Sequence, residues 1–294
     1  MLHKSPEVHR LICIALEEDQ ASWDATSKSV LPLGVVGTAT ITAKGEGILA
    51  GIDVALEVFH ILDSTLSTKS LLETSDGIPL PLGGDGSKIK PGDRIGQIYG
   101  SIPSILAAER TALNFLQRMS GIASLTNKYV ELVAGYPVSI VDTRKTLPGF
   151  RKLDKYAVSI GGGHNHRLHL GDGILLKDTH IKVLQARGLT LTDIISRAKT
   201  NSPHTLRVEV EVESIVAARE AIEAGAELIL LDNMSAVDMS KVTVLAKDKA
   251  LIEASGGIDK ESILDIAKAG VNIISIGELT HSVQALDISL KITG

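Results

Sequence analysis

From Val138 onward, short β-branched apolar runs alternate with longer amphipathic segments, with polar loop residues between them. The runs are Val138–Val141, Gly173–Leu176, Arg207–Val210, Leu228–Leu231, Leu251–Ala254 and Asn272–Ile276. The intervening spacing predicts helices over Ser214–Ala224, Ser235–Ala246 and Asp259–Ala269, the first and last stopped by Gly225 and Gly270, since glycine ends a helix without a Cβ penalty. Strands alternating with helices imply βαβ units and a parallel sheet. The C-terminal end of nearly every run carries chemistry: Asp142-Thr143-Arg144-Lys145, Lys177-Asp178, Glu211, Asp232-Asn233, Ser255-Gly256-Gly257 and Gly277-Glu278. In a (β/α) barrel those ends converge on one face, whereas a doubly wound sheet gathers its ligand residues at one switch point. Six runs are fewer than eight, so an α/β fold with an incomplete (β/α) barrel is expected.

The first part of the chain has a different pattern. Residues 31–100 contain strand-like Gly37–Ala43 and Gly47–Gly51, a helical pattern over Asp53–Leu62, a Pro91-Gly92-Asp93 turn and a further strand over Arg94–Tyr99. This describes a small α+β domain. A long helical region over Ile102–Ala134, interrupted at Gly121, is expected to join it to the barrel.

At 294 residues and 44% hydrophobic content, the chain can bury a full core. A formal net charge of -5 excludes a bulk polyanion binder. The single cysteine, Cys13, excludes an intramolecular disulfide framework and a Cys-rich zinc site. The start, Met1-Leu2-His3-Lys4-Ser5-Pro6, lacks the apolar core of a secretion signal, and Leu11–Leu16 is too short to span a bilayer. A soluble, cytoplasmic protein with no nucleic-acid or membrane partner is the expectation.

Against that acidic balance, Asp142–Lys182 concentrates Arg144, Lys145, Arg151, Lys152, Lys155, Arg167, Lys177, Lys182 and four histidines, opposed only by Asp142, Asp154, Asp172 and Asp178. Arg144, His166, Arg167 and Lys177, in or beside strand ends, suit a dicarboxylate, because arginine matches planar carboxylates in a fork. Arg151, Lys152 and Lys155 follow Pro148-Gly149 on a helix and are expected to form a solvated face. Ser255-Gly256-Gly257 and Ile276-Gly277-Glu278, with His281 nearby, suit a late-strand phosphate site built from backbone N–H groups. The plainer reading of those glycines is a tight βα turn. Glu211 and Asp232 end neighbouring strands and suit a magnesium ion, with a layer of interior ion pairs as the alternative. Glu209 shares Glu211's strand face, so either could be the functional carboxylate. His164-Asn165-His166 also matches a metal-binding pair, although the later strand ends offer no further histidines for it. Lys145 or Lys177 could serve as a Schiff-base lysine.

These residues, with Glu109-Arg110-Thr111-Ala112-Leu113-Asn114-Phe115, Ser120-Gly121-Ile122-Ala123, Gly161-Gly162-Gly163, Leu231-Asp232-Asn233-Met234, Glu253-Ala254-Ser255-Gly256-Gly257-Ile258 and Leu279-Thr280-His281-Ser282, resemble the quinolinate phosphoribosyltransferases. The resemblance implies an N-terminal α/β sandwich over residues 1–115, an incomplete barrel over 116–280 and a C-terminal segment over 281–294 returning to the first domain. It implies transfer of phosphoribosyl from phosphoribosyl pyrophosphate to quinolinate with decarboxylation, giving nicotinate mononucleotide, pyrophosphate and carbon dioxide in NAD biosynthesis. It places Arg144, His166, Arg167 and Lys177 on quinolinate, with Arg110 supplied by the partner of a homodimer, which can assemble further to a hexamer. Lys145, Glu211 and Asp232 fall around the ribose, pyrophosphate and Mg2+ as the catalytic set, and Glu211 and Asp232 are the metal ligands. Ser255, Gly256, Gly257, Gly277 and His281 fall at the 5-phosphate, and Thr143 and Ser275 complete the substrate-binding set. No organic cofactor is implied. Thr179, His169 and the run Trp23-Asp24-Ala25-Thr26 depart from the usual pattern without removing a charge from the site.

Overall fold

A computed structural model describes residues 2–73, 77–78 and 84–293. The chain forms two compact units, one comprising Met1–Asn127, Leu147–Gly162 and Ser282–Gly294, the other Lys128–Thr146 and Gly163–His281.

The first unit is built on an antiparallel sheet. In chain order its strands are β1 (Val36–Ala43), β2 (Gly47–Ile48), β3 (Ser67–Glu73), β4 (Lys88–Ile89) and β5 (Arg94–Ser101). Among the described residues, the four-stranded sheet runs β12-β1-β5-β3, where β12 is Ile288–Ile292 near the end of the chain, and β2 pairs with β4. The register of β1 on β12 sets Ala39 against Ile292 and Ala43 against Ile288. Alternation along β1 turns Ala39, Ile41 and Ala43 inward, all three fully buried. The helix Ile52–Leu62 buries Ile52, Val54, Ala55, Leu56, Val58 and Phe59. At its start the Asp85 carboxylate accepts N–H groups from Gly51 and Ile52, at 2.7 and 3.1 Å. The helix Pro6–Glu18 begins with an N-cap Ser5 and a proline in its first turn, and it buries Val8, Ile12 and Leu16 at a spacing of four.

Three features of this unit differ from the sequence expectation. The helix Ile102–Leu132 runs unbroken through Gly121. A Cβ at Gly121 would lie 2.3 Å from the carbonyl oxygen of Gln284, so this glycine permits a close approach of the C-terminal segment rather than a break. Leu147–Gly162, assigned by the domain boundaries to the barrel, belongs to the first unit. Its helix Arg151–Ile160 buries Asp154, whose carboxylate accepts a two-pronged bond from Arg118 at 2.9 and 2.8 Å. Phe150 stacks on Phe115 with centroids 5.6 Å apart. Lys155, expected in solvent, is buried, while Lys152 is exposed and pairs with Glu7 at 2.9 Å.

The second unit contains β6 (Ser139–Val141), β7 (Ile174–Leu176), β8 (Val208–Val212), β9 (Leu228–Asp232), β10 (Leu251–Ser255) and β11 (Ile273–Ser275). The sheet order is β6-β11-β10-β9-β8-β7, and the pairs are parallel. Every strand neighbours its successor in the chain except β6 and β7, so this is the cyclic order of a barrel left open at one seam. His164 lies along the free edge of β6: its N–H donates to Ile140 O at 2.8 Å and its carbonyl accepts from Asp142 N at 3.2 Å. The helix expected over Asp259–Ala269 is shorter, Ile263–Lys268, because Asp259 and Ser262 form a hydrogen-bonded turn ahead of it. Among the described residues, no helix is long and apolar enough to cross a membrane.

Candidate active site

Parallel strands ending on one face bring residues far apart in sequence to a single mouth. A cavity of about 370 Å3 there is lined by Thr143, Arg144 and Lys145 after β6, His166 and Arg167 from the seam, Lys177 after β7, Glu211 on β8, Asp232 on β9, Ser255 on β10 and Ser275 on β11. Leu175, Leu230 and Glu253 complete the wall. Ten of the substrate-binding residues expected from the sequence are therefore together. Arg110 belongs to the other unit, where it lines a hollow with Leu11, Ile14, Asn114, Arg118 and Phe150.

The cationic end is tightly organised. The Arg167 N–H donates to His166 Nδ1 at 2.8 Å, and the His166 N–H donates to the fully buried Asp142 carboxylate at 2.9 Å. Asp142 thus anchors the loop from below. Burial and the neighbouring Arg144 push the Arg167 guanidinium below its ordinary value, while Glu209 opposes that shift. Arg167 also donates to Gly173 O at 3.2 Å. Lys177 Nζ bonds Glu211 Oε2 at 2.8 Å, so in this structure Glu211 is engaged by a cation.

The opposite end is made of loops. Lys145 N–H donates to Thr143 Oγ1 at 3.0 Å, and Lys145 O accepts from Thr280 Oγ1 at 2.8 Å. The Lys145 side chain runs close over Gly277: a Cβ there would lie 3.1 Å from Lys145 Cδ and 3.0 Å from His281 Nε2. This glycine lets Lys145 and His281 come together. Gly256 has φ +89, and a Cβ on it would lie 2.4 Å from Asn233 Oδ1 and 2.8 Å from Asp232 Oδ1. Asn233 in turn donates to Asp232 Oδ2 at 3.0 Å.

Sequence reasoning left Glu253 without a role. It is buried, sits in register with Leu230 and Ile273, and shares a strand face with Ser255. That alternation was the available signal, since Ser255 already pointed to the cavity. Burial and the neighbouring Glu209 carboxylate push the Glu253 carboxyl up to about 7. His166, Glu209 and Glu253 bring one ligand atom each within 4.8 Å of the others, a spacing that could hold a metal. His164 is exposed and outside this group, so the His-x-His pair does not assemble as a metal pair. The imidazole also argues against a metal: Nδ1 accepts a backbone N–H, which leaves the proton on Nε2, the atom a metal would need.

An open-seamed barrel with cations at one end of its mouth, and a lysine, an aspartate and glycine loops at the other, defines an enzyme for small polyanionic substrates. The chain matches the family models "Quinolinate phosphoribosyl transferase, N-terminal domain" over residues 24–120 and "Quinolinate phosphoribosyl transferase, C-terminal domain" over residues 122–291. It belongs to the quinolinate phosphoribosyltransferase family. It is 39% identical to a probable nicotinate-nucleotide pyrophosphorylase [carboxylating] of Bacillus subtilis, over 94% of this chain and 90% of that one. It is 38% identical to a mitochondrial quinolinate phosphoribosyltransferase [decarboxylating] of Nicotiana glauca, over 99% and 83%. The nicotinate-nucleotide pyrophosphorylase structure from Francisella tularensis superposes with a TM-score of 0.89 at 38% identity, covering 100% of this chain and 99% of that one.

Proposed function

We infer that this protein is a phosphoribosyltransferase that joins quinolinate to the ribose of phosphoribosyl pyrophosphate, with loss of carbon dioxide, in NAD biosynthesis. The observation that carries the reading is the division of one cavity between Arg144, Arg167 and Lys177 and a wall of Lys145, Asp232, Ser255 and Ser275, against which Gly256 and Gly277 pack closely. A dicarboxylate matches the first group, and a phosphosugar matches the second. The quinolinate nitrogen forms a bond to C1 of the ribose as the bond from C1 to pyrophosphate breaks. The C2 carboxylate then leaves as carbon dioxide, its electron pair held next to the pyridinium nitrogen until a proton from water replaces it. Lys145 stabilises the charge that gathers on pyrophosphate, and the fixed cations hold the acceptor for attack.

Asp232, at a strand end with one oxygen bonded by Asn233, fits the one or two carboxylates that magnesium takes beside a substrate phosphate. Such an ion would offset pyrophosphate charge. Because Glu211 is held by Lys177, we assign it to orienting that lysine for the acceptor and leave the metal to Asp232. Arg110, carried by the first unit, is assigned to the partner's site in a homodimer, as the family resemblance implies. A cytoplasmic enzyme is consistent with these soluble substrates.

Incubation with quinolinate, phosphoribosyl pyrophosphate and magnesium should give nicotinate mononucleotide and carbon dioxide in equal amounts. Product from nicotinate, with none from quinolinate, would overturn the assignment. The glycine loop gives a second test. In Gly256→Ala the new Cβ meets Asp232 and Asn233, and the residue must hold a positive φ. Strain of about 1–3 kcal/mol lowers kcat/KM for phosphoribosyl pyrophosphate by about tenfold or more. Unchanged kinetics in this variant would remove the loop from the site.

A further inference from the structure

We propose that Glu209 and Glu253 form one anionic unit that positions the adjacent His166–Arg167 pair for the acceptor, a role distinct from that of Glu211. The inference rests on reading the cavity as the quinolinate site. His166 Nε2 lies 3.4 Å from Glu209 Oε2 and 3.6 Å from Glu253 Oε2. Its Nδ1 is taken by the Arg167 N–H, so the Nε2 proton faces the two carboxylates. Both glutamates are buried, and among the described residues Glu253 Oε1, Glu253 Oε2 and Glu209 Oε1 are buried without a hydrogen-bond partner. Two buried carboxylates this close repel each other, and both face the one imidazole N–H. Burial and the neighbouring Glu209 carboxylate push the Glu253 carboxyl up.

That charge has a purpose at this position. Arg144 and Arg167 repel each other before a dianionic acceptor arrives, and the Glu209 charge opposes the shift that burial and Arg144 impose on the Arg167 guanidinium. The imidazole is fixed between the unit below and the Arg167 backbone N–H, so residues 166 and 167 are held as one piece. Because both imidazole nitrogens are directed to protein atoms, His166 contributes mainly by fixing Arg167 and shaping the floor. Glu209 and Glu253 act through other residues and are positioning residues.

The experiment uses the full-length enzyme and Glu209→Gln, Glu253→Gln and the double variant, each nearly isosteric with the protonated acid. With either single change one carboxyl still faces the Nε2 proton, and the KM for quinolinate rises about threefold. In the double variant the anionic unit is gone, and that KM rises about thirtyfold or more, beyond the product of the single effects, while kcat and the KM for phosphoribosyl pyrophosphate change by less than about threefold. A double variant whose effect is no larger than that product, or whose quinolinate KM is that of the wild type, overturns the proposal. Nitrogen-15 NMR of histidine-labelled wild-type enzyme supplies a test that needs no variant to fold. His166 should carry its proton on Nε2, and a proton on Nδ1 instead overturns the arrangement. If the wild type fails to convert quinolinate, the functional reading fails while the tautomer remains measurable.

Discussion

Lys145→Ala is expected to lower kcat by about 10²–10³-fold, with a much smaller change in the KM for quinolinate. The lysine leaves the end of β6 with its backbone fixed on both sides: its N–H bonds Thr143 and its carbonyl accepts from Thr280. Its chain is then guided over Gly277 to lie beside His281. A cation held this way is in place before reaction, so it stabilises charge developing on the departing pyrophosphate without reorganisation. Losing an interaction made mainly in the transition state lowers kcat and kcat/KM together. Steady-state measurement of pyrophosphate release checks this, and a kcat within about threefold of wild type would remove Lys145 from the chemical step.

Arg167→Ala is expected to weaken quinolinate binding by about 10–100-fold, because charge-assisted hydrogen bonds contribute roughly 1.5–3 kcal/mol each. Arg167 lines the cavity and is already disfavoured by burial and by Arg144, a cost an incoming dianion relieves. Arg167→Lys keeps the charge but loses the planar fork, so it should recover only part of the affinity. Titration calorimetry with quinolinate distinguishes the three proteins. Wild-type affinity in Arg167→Ala would disprove the dicarboxylate clamp.

Much of the barrel was legible because its signals are local. A strand occupies a few consecutive apolar residues, and a loop that exposes backbone N–H groups announces itself by glycines, so Ser255-Gly256-Gly257 and Gly277 could be placed on strand ends without coordinates. The strand β3 and the bridge partner β4 were missed, since Ser67–Glu73 lacks an apolar run and Lys88–Ile89 is only two residues long. Gly121 was read as a break because a glycine inside a helical pattern looks the same whether it stops the helix or admits a neighbouring chain. Lys155 reads as surface charge for a similar reason, and nothing local marks the neighbouring Asp154 as buried. Their burial depends on elements distant in sequence, such as the one that carries Arg118.

The sequence by itself determined the alternation of strand and helix, the strand ends that carry Lys145, Asp232 and Ser255, and the local excess of cations over an acidic whole. Tertiary structure decided which charges meet. Lys177 pairs with Glu211 across 34 positions, and His166 lies on Glu209 and Glu253, which come from two further strands. Periodicity and turn chemistry act over a few residues and are written in order along the chain. The ionisation and partner of a buried side chain depend on what the fold brings within a few ångströms, and no stretch of sequence records that distance.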